Sequence, residues 1–454
     1  MSPQARDPPG ADAGVASTVE AQDGPEVVHV LVHSTASLGR LPGCREKEAE
    51  LDFGVDRALL LARPGDVVCL SRPAEPAYLE FLAELGLGPG PGRIVVAACA
   101  GELARALARD ARALAALRDL LSGAEEIVLD PFVASPSERG LAATLAELLG
   151  RPVSVLGGPA ALLAQANRKD VVRSRAEALG VAVAPGEIVG LSTPADLAPL
   201  REALARQLAP TGRALVRGAR GAAGSSTFVV EREADSVETT LRRIVARTDN
   251  TVYLVEVMLD MAVSPNVLVH VEPGEGRVRC VGVTDQQLDG GLAHYGNAYP
   301  TLATKTEEMI TSVCRLARWL QSEGYRGLAG FDFVEYRDSR TGRREQILAE
   351  LNARTNGAAY PKSVLDRLND RRARQGGRAI GAFLAAGDLR TGLGDFAALR
   401  QRCGRLLFEP GSGRGVLPYN TASLGRGRMR AMALGGTRAE VEAMMVEFRR
   451  RIAA

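Results

Sequence analysis

Cysteine and histidine are too few and too scattered to build a metal box. The six cysteines (Cys44, Cys69, Cys99, Cys280, Cys314, Cys403) include no C-x-x-C pair, and only four histidines accompany them. A zinc-type site is therefore excluded, and any metal must rest on carboxylates, which favours magnesium or manganese. Thiols this far apart read as free cysteines in a reducing compartment. Aromatic residues make up only 4% of the chain. Aromatic–basic interleaving for stacking on bases is missing, so a nucleic-acid binder is not expected. No run approaches the roughly 18 consecutive apolar residues of a membrane span. Lysine is also scarce. The four lysines (Lys47, Lys169, Lys305, Lys362) belong to a total of 56 Lys plus Arg, so a Lys hints at a local requirement.

What is present is ample for a folded protein. The chain has 454 residues, 46% of them hydrophobic and 24% charged, enough for about three domains of roughly 150 residues. Residues 1–24 are rich in Ala, Pro, Gly and Asp and lack an apolar centre, so they read as a disordered tail rather than a signal peptide. The chain is expected to be soluble and cytoplasmic. Its net charge of +2 is uneven, because residues 367–454 hold 17 Arg, no Lys and 7 acids, a local +10. Such a segment suits phosphates or carboxylates, or is simply an Arg-rich surface.

Short β-branched runs at 26–33, 67–70, 94–97, 127–129 and 153–156 alternate with helical stretches at 102–121 and 137–149. That alternation predicts a parallel α/β sheet over about the first 150 residues. Beyond residue 160, strands dominate in hairpins, which predicts an α+β region. The last residues read as a small separate unit, closed by an amphipathic helix that starts at the capping box Thr437-Arg438-Ala439-Glu440.

The stretch Gly330 to Gly357 carries the most chemistry. Two apolar runs flank a polar turn, and a turn centred on Thr341 sets Asp332 opposite Glu350. Alternation then puts Glu350, Asn352 and Arg354 on the face of Asp332. Two carboxylates facing each other across strands repel, so a divalent cation carrying a nucleotide is their natural partner. A solvated hairpin face is the competing reading. The second feature is Leu215 to Val230, where Gly218, Gly221 and Gly224 precede Ser225, Ser226 and Thr227. Its amides and hydroxyls suit a phosphate, with Arg217 at the strand end as a cation. On its own this loop reads better as a flexible hairpin. The third is the strand exit Glu256-Val257-Met258-Leu259-Asp260, where main-chain groups suit an adenine edge and Met258 or Leu259 its face, or which is an ordinary strand end.

Together these segments resemble the ATP-grasp superfamily over about residues 160–365. AELNARTNG carries Glu350, Asn352 and Arg354 of the metal-and-phosphate motif, with Asp332 before it. Arg217 falls where that family usually has Lys, and Lys169 in Asn167-Arg168-Lys169-Asp170 falls at its early phosphate-binding Lys. The resemblance gives no firm ribose-binding acid and leaves Asp260 or Asn266. The N-terminal unit resembles the pre-ATP-grasp domain. The segment GVLPYNTASLGRGRMRAM is similar to the C-terminal domain of the peptide ligases of the pheganomycin-biosynthesis type. The resemblance implies a Rossmann-like pre-ATP-grasp domain (25–156), a two-lobed ATP-grasp domain (157–370) and a basic C-terminal domain (371–454).

It further implies ATP and two Mg2+ (or Mn2+) ions held by Asp332, Glu350 and Asn352. Arg354 and Lys169 would be catalytic, and Lys169, Arg217, Gly224, Ser225, Ser226, Glu256, Met258 and Asp260 would hold the nucleotide. The implied reaction joins an amino acid carboxylate, activated as an acyl phosphate, to a peptide amine in antibiotic biosynthesis. The donor would be a nonproteinogenic guanidino amino acid, and a homodimer is a possible state. Asp285, Gln286, Asp289 and Asn297 are candidate substrate contacts, with Asp285 or Asp289 suited to pair with a guanidino group. A plain surface loop is their competing reading. The alternatives are a kinase on the same fold and a non-catalytic ATP-binding regulator.

Overall fold

The computed structural model describes residues 27–36, 52–99, 101–193, 195–221, 226–232, 237–248, 250–274, 276–289 and 292–453. The expected tail 1–24, and Gly224 and Ser225, lie outside the described residues.

The first sheet holds β1 (Val27–Val32), β2 (Val67–Leu70), β3 (Ile94–Val96), β4 (Glu126–Pro131) and β5 (Ser154–Val155). All pairings are parallel, in the order β3-β2-β1-β4-β5. The sheet is nearly continuous Val, Ile and Leu because helices cover it. One of them, Pro136–Leu149, starts at a complete capping box of Ser135 and Glu138. Chain order reverses where β1 and β4 meet, and ligands of open parallel sheets bind beyond the strand ends at such a point. Thr35, after β1, and Phe132, after β4, both face the main cleft.

The second sheet is antiparallel and comprises β6 (Gly186–Gly190), β7 (Arg213–Gly218), β8 (Thr227–Glu231) and β9 (Val252–Val257), in the order β6-β9-β7-β8. With the helices Ala198–Thr211 and Val237–Arg247 it encloses a core of its own, including Leu200, Leu204, Val216, Leu241 and Tyr253.

The third sheet has nine strands. They are β10 (Met261–Val263), β11 (Pro265–Val271), β12 (Val278–Leu288), β13 (His294–Tyr299), β14 (Gly327–Arg337), β15 (Arg344–Asn352), β16 (Ala382–Arg390), β17 (Gly415–Tyr419) and β18 (Arg428–Gly435). The helix Thr306–Ser322 buries its apolar face beneath β11, β12 and β14. Two expectations change here. The polar run at 284–288 continues β12 and residues 294–299 form β13, so neither is a surface loop. The C-terminal strands also form no separate sheet, because β16 pairs with β13 and carries β18 and β17 beyond it. Their side chains share one apolar core with the N-terminal sheet. Among the described residues no helix is long and apolar enough to cross a membrane.

Candidate active site

A cleft of about 480 Å³ opens between the second and third sheets and runs to the ends of β1 and β4. Its chemistry begins on the β14–β15 hairpin. Asp332 stands opposite Glu350, and Gly330 opposite Asn352. Nearer the turn, the register is one residue different, with Phe333 opposite Leu348. Ala349 is thus an extra residue in β15, a β-bulge that restores the pairing of the two carboxylates. The turn lies half a residue before Thr341, and the bulge cancels that offset, so Asp332 still meets Glu350 as a turn centred on Thr341 predicts.

The groups around the hairpin form a connected polar set. Asp332 accepts hydrogen bonds from Asn266 Nδ2 (2.6 Å) and Asn352 Nδ2 (2.9 Å). Arg354 Nη2 donates to Asn352 Oδ1 at 2.7 Å. Burial, then the nearby Glu350 charge, pushes the Asp332 carboxyl up to about 6. Two cations reach Glu350 from across the cleft. Lys169 Nζ lies 3.5 Å from Glu350 Oε1 and donates to the Gly221 carbonyl at 2.9 Å. Arg217, on β7, lies 3.8 Å from Glu350 Oε2. It also donates to Glu256 Oε2 (3.2 Å) and to the carbonyl of the bulge residue Ala349 (3.0 Å).

Glu256 is an anchor. Its main chain lies inside the sheet between Gly186 and Leu215, and its carboxylate binds Arg217 and Arg173, the latter at 2.9 Å. The sequence reading missed Arg173, although it lies one helical turn after Lys169 on the helix Lys169–Ala178. Met258 lines the cleft, and its N–H donates to Arg213 O at 3.3 Å. Ser226 is buried behind Gly218 and outside the cleft lining, its Oγ directed to the Gly218 carbonyl at 3.5 Å.

Several expected contacts belong elsewhere. Asp260 is exposed and outside the cleft lining. Asn266, by contrast, lines the cleft and faces Asp332. Asp285 is 3% exposed and fully engaged by Thr301 Oγ1 (2.5 Å), the Leu302 N–H (2.9 Å) and Arg438 (2.6 Å). The guanidinium it pairs with is the chain's own, so it has no free edge for a substrate. Asp289 accepts from the Ala293 N–H at 2.8 Å and lies outside the lining. Gln286 and Asn297 do line the cleft, Gln286 beside Ser264 and Asn297 beside His294.

No three His, Cys, Asp or Glu cluster together among the described residues. The set available to a cation is two carboxylates plus amide oxygens, which suits magnesium because that ion keeps several waters. Asn266 Oδ1 is buried beside Asp332 without a hydrogen-bond partner among the described residues, an acceptor that a cation or its water would satisfy.

Residues 55–147 match the family described as the pre-ATP-grasp domain. The chain superposes on an ADP complex of N5-carboxyaminoimidazole ribonucleotide synthetase with a TM-score of 0.54 at 15% identity, covering 93% of this chain and 96% of that one. The Aspergillus clavatus carboxyaminoimidazole ribonucleotide synthase, solved with ATP, gives 0.52 at 14% identity, with 94% and 99% covered. Biotin carboxylase from Campylobacter jejuni gives 0.53 at 14%, with 94% and 92% covered. The fold is a pre-ATP-grasp domain followed by an ATP-grasp fold. A comparison with curated proteins gave no significant match.

Proposed function

We propose that this chain is an ATP-dependent carboxylate–amine ligase that forms ADP. One observation carries the reading: Asp332 and Glu350 oppose each other on β14 and β15 while Lys169 and Arg217 converge on Glu350 from across the cleft. Structures of the same fold hold ADP or ATP. In this reading Asp332, Glu350 and Asn352 hold magnesium or manganese, with Asn266 Oδ1 as a further donor. The metal offsets negative charge on the phosphate oxygens when bound. Lys169 and Arg217 exchange their contacts with Glu350 for phosphate oxygens. Arg354 stabilises the oxyanion that forms when an amine attacks the activated carboxylate. Met258 packs on the purine. The loop after Gly218 covers the phosphates and excludes water, which an acyl phosphate requires.

The finer reading is a peptide ligase of the pheganomycin-biosynthesis type. The donor is then a guanidino amino acid and the acceptor the amino end of a peptide. Gln286 and Asn297 are the retained substrate contacts. The test is ADP release with Mg-ATP and pools of guanidino amino acids and short peptides, alone and together, beside Glu350→Gln. ADP only with both pools, with a new amide mass, is expected. ADP without an amide would instead indicate a kinase, and ATP binding without ADP a regulator.

A further inference from the structure

The end of the cleft nearest the first sheet holds a buried cation without an acidic partner. Arg57 sits in the 3₁₀ helix Asp52–Leu60 and is 7% exposed. Its guanidinium carbon lies 4.4 Å from the Phe132 ring centroid and 4.8 Å from that of Tyr360. The rings cover its faces, so a ligand can meet it only at an edge. Nε and Nη2, which make up one edge, are buried without a hydrogen-bond partner among the described residues. Arg354 lies 5.3 Å from the same Phe132 ring, and Arg430, on β18, lines the same cleft. Among the described residues none of these three arginines pairs with a carboxylate. Burial first, then the charges of Arg430 and Arg354, weakens the hold of Arg57 on its proton. Asp56 feels the charge of Arg57 but makes no ion pair with it among the described residues: its hydrogen bonds, from the Ala422 N–H at 3.0 Å and Thr421 Oγ1 at 3.4 Å, both go to Oδ2, and Oδ1 is buried without a hydrogen-bond partner there. Asn420, in a left-handed conformation (φ 53°), also lines the cleft, and its Oδ1 is buried without a hydrogen-bond partner among the described residues. Its amide and Arg57 flank Gly54.

Two unsatisfied donors in a planar fork, two further cations and one unsatisfied acceptor describe a ligand: a carboxylate with an N–H beside it. The carboxylate being activated must be free to take a phosphoryl group, so a carboxylate pinned here belongs to the other substrate. We propose that Arg57 and Arg430 bind the α-carboxylate of the amine substrate, with Asn420 Oδ1 accepting its neighbouring N–H. The acceptor is then an amino acid or short peptide with a free carboxyl end. This rests on the ligase reading above.

The experiment compares a pool of short peptides with the same pool amidated at the C-terminus. In the wild type, amidation is expected to raise KM about 10- to 100-fold with kcat little changed. Arg57→Met should bring the free-acid pool to the level of the amidated one, and Arg57→Lys, which keeps the charge but loses the fork, should fall between. Binding of a non-hydrolysable ATP analogue should be unchanged in both. Equal use of both pools by the wild type, or a preference that survives in Arg57→Met, would overturn the proposal. So would a marked preference for peptides bearing a phosphate. If no pool supports ADP release, the ligase reading fails, and thermal-shift titration of both pools with the ATP analogue still decides the subsite. A free-acid shift lost on amidation and in Arg57→Met supports it, and identical shifts refute it.

Discussion

At position 217 an arginine makes contacts that one lysine nitrogen cannot span. Its fork bonds Glu256 and the Ala349 carbonyl and lies beside Glu350, tying two sheets together. Arg217→Lys is therefore expected to lower kcat/KM for ATP turnover about tenfold, read as ADP release, with unchanged circular dichroism. Equal activity would show that charge alone suffices. Two carboxyls make a pH prediction. Burial pushes both Asp332 and Asp56 up to about 6. Between their unfolded value near 4 and that folded value, the folded chain binds more protons, so each contributes a loss of stability as pH rises through the window. Asp332→Asn and Asp56→Asn should each flatten that fall in urea midpoints of the ligand-free protein between about pH 4 and 6. The parent is the necessary reference, since His270 and His294, held low mainly by burial, act in the opposite sense near pH 6. A slope unchanged in both variants would contradict the assignment. Asp332, Glu350, Asn352 and Arg354 were legible together because their spacing is local to one hairpin, whereas Lys169 and Arg217 lie on other elements and the resemblance alone tied Lys169 to them. Asp285 was not, because a carboxylate looks the same in sequence whether its guanidinium is a ligand's or Arg438.

The decisive element is the bulge in β15. Residues on one strand change faces with every one-residue slip, so it is the bulging out of Ala349 that leaves Glu350, and not Ala349, opposite Asp332. Nothing in the sequence marks it: the residue is alanine, not glycine or proline, and its carbonyl partner Arg217 is 132 positions away. The pairing was read correctly through a turn position that was slightly wrong, with the error absorbed by the bulge. Deleting Ala349 should let the outer register run straight through the strand, leaving Asp332 opposite Glu350 but removing the bulge and the carbonyl that Arg217 binds. Magnesium-dependent ADP formation should then persist and fall only about tenfold through the lost Arg217 contact, while far-ultraviolet circular dichroism retains its β signal. A loss of about a hundredfold or more would mean that the bulge itself, and not the pairing of the carboxylates alone, orients Glu350.

Across the whole molecule, the cores define what moves together. The parallel sheet and the C-terminal strands were each legible from apolar runs, but their union was not, since it joins residues more than 300 positions apart. Phe396 lies 5.1 Å from Tyr78 and 5.3 Å from Phe81, its N–H donates to Glu75, and Tyr78 donates to the Pro418 carbonyl. The second sheet has a core of its own, which suits an element that opens and closes over the cleft. Phe396→Ala should cost about 3–5 kcal/mol and loosen the first sheet with the C-terminal strands. Hydrogen exchange would show both regions gaining exchange together, with the second sheet spared. Exchange confined to residues 382–453 would instead make the C-terminal region an independent domain. The proposed Arg57 subsite depends on the shared core, because Arg57 and Phe132 come from the N-terminal part of the chain and Asn420 and Arg430 from the last strands. Phe396→Ala should therefore weaken acceptor binding more than nucleotide binding, although Phe396 does not line the cleft.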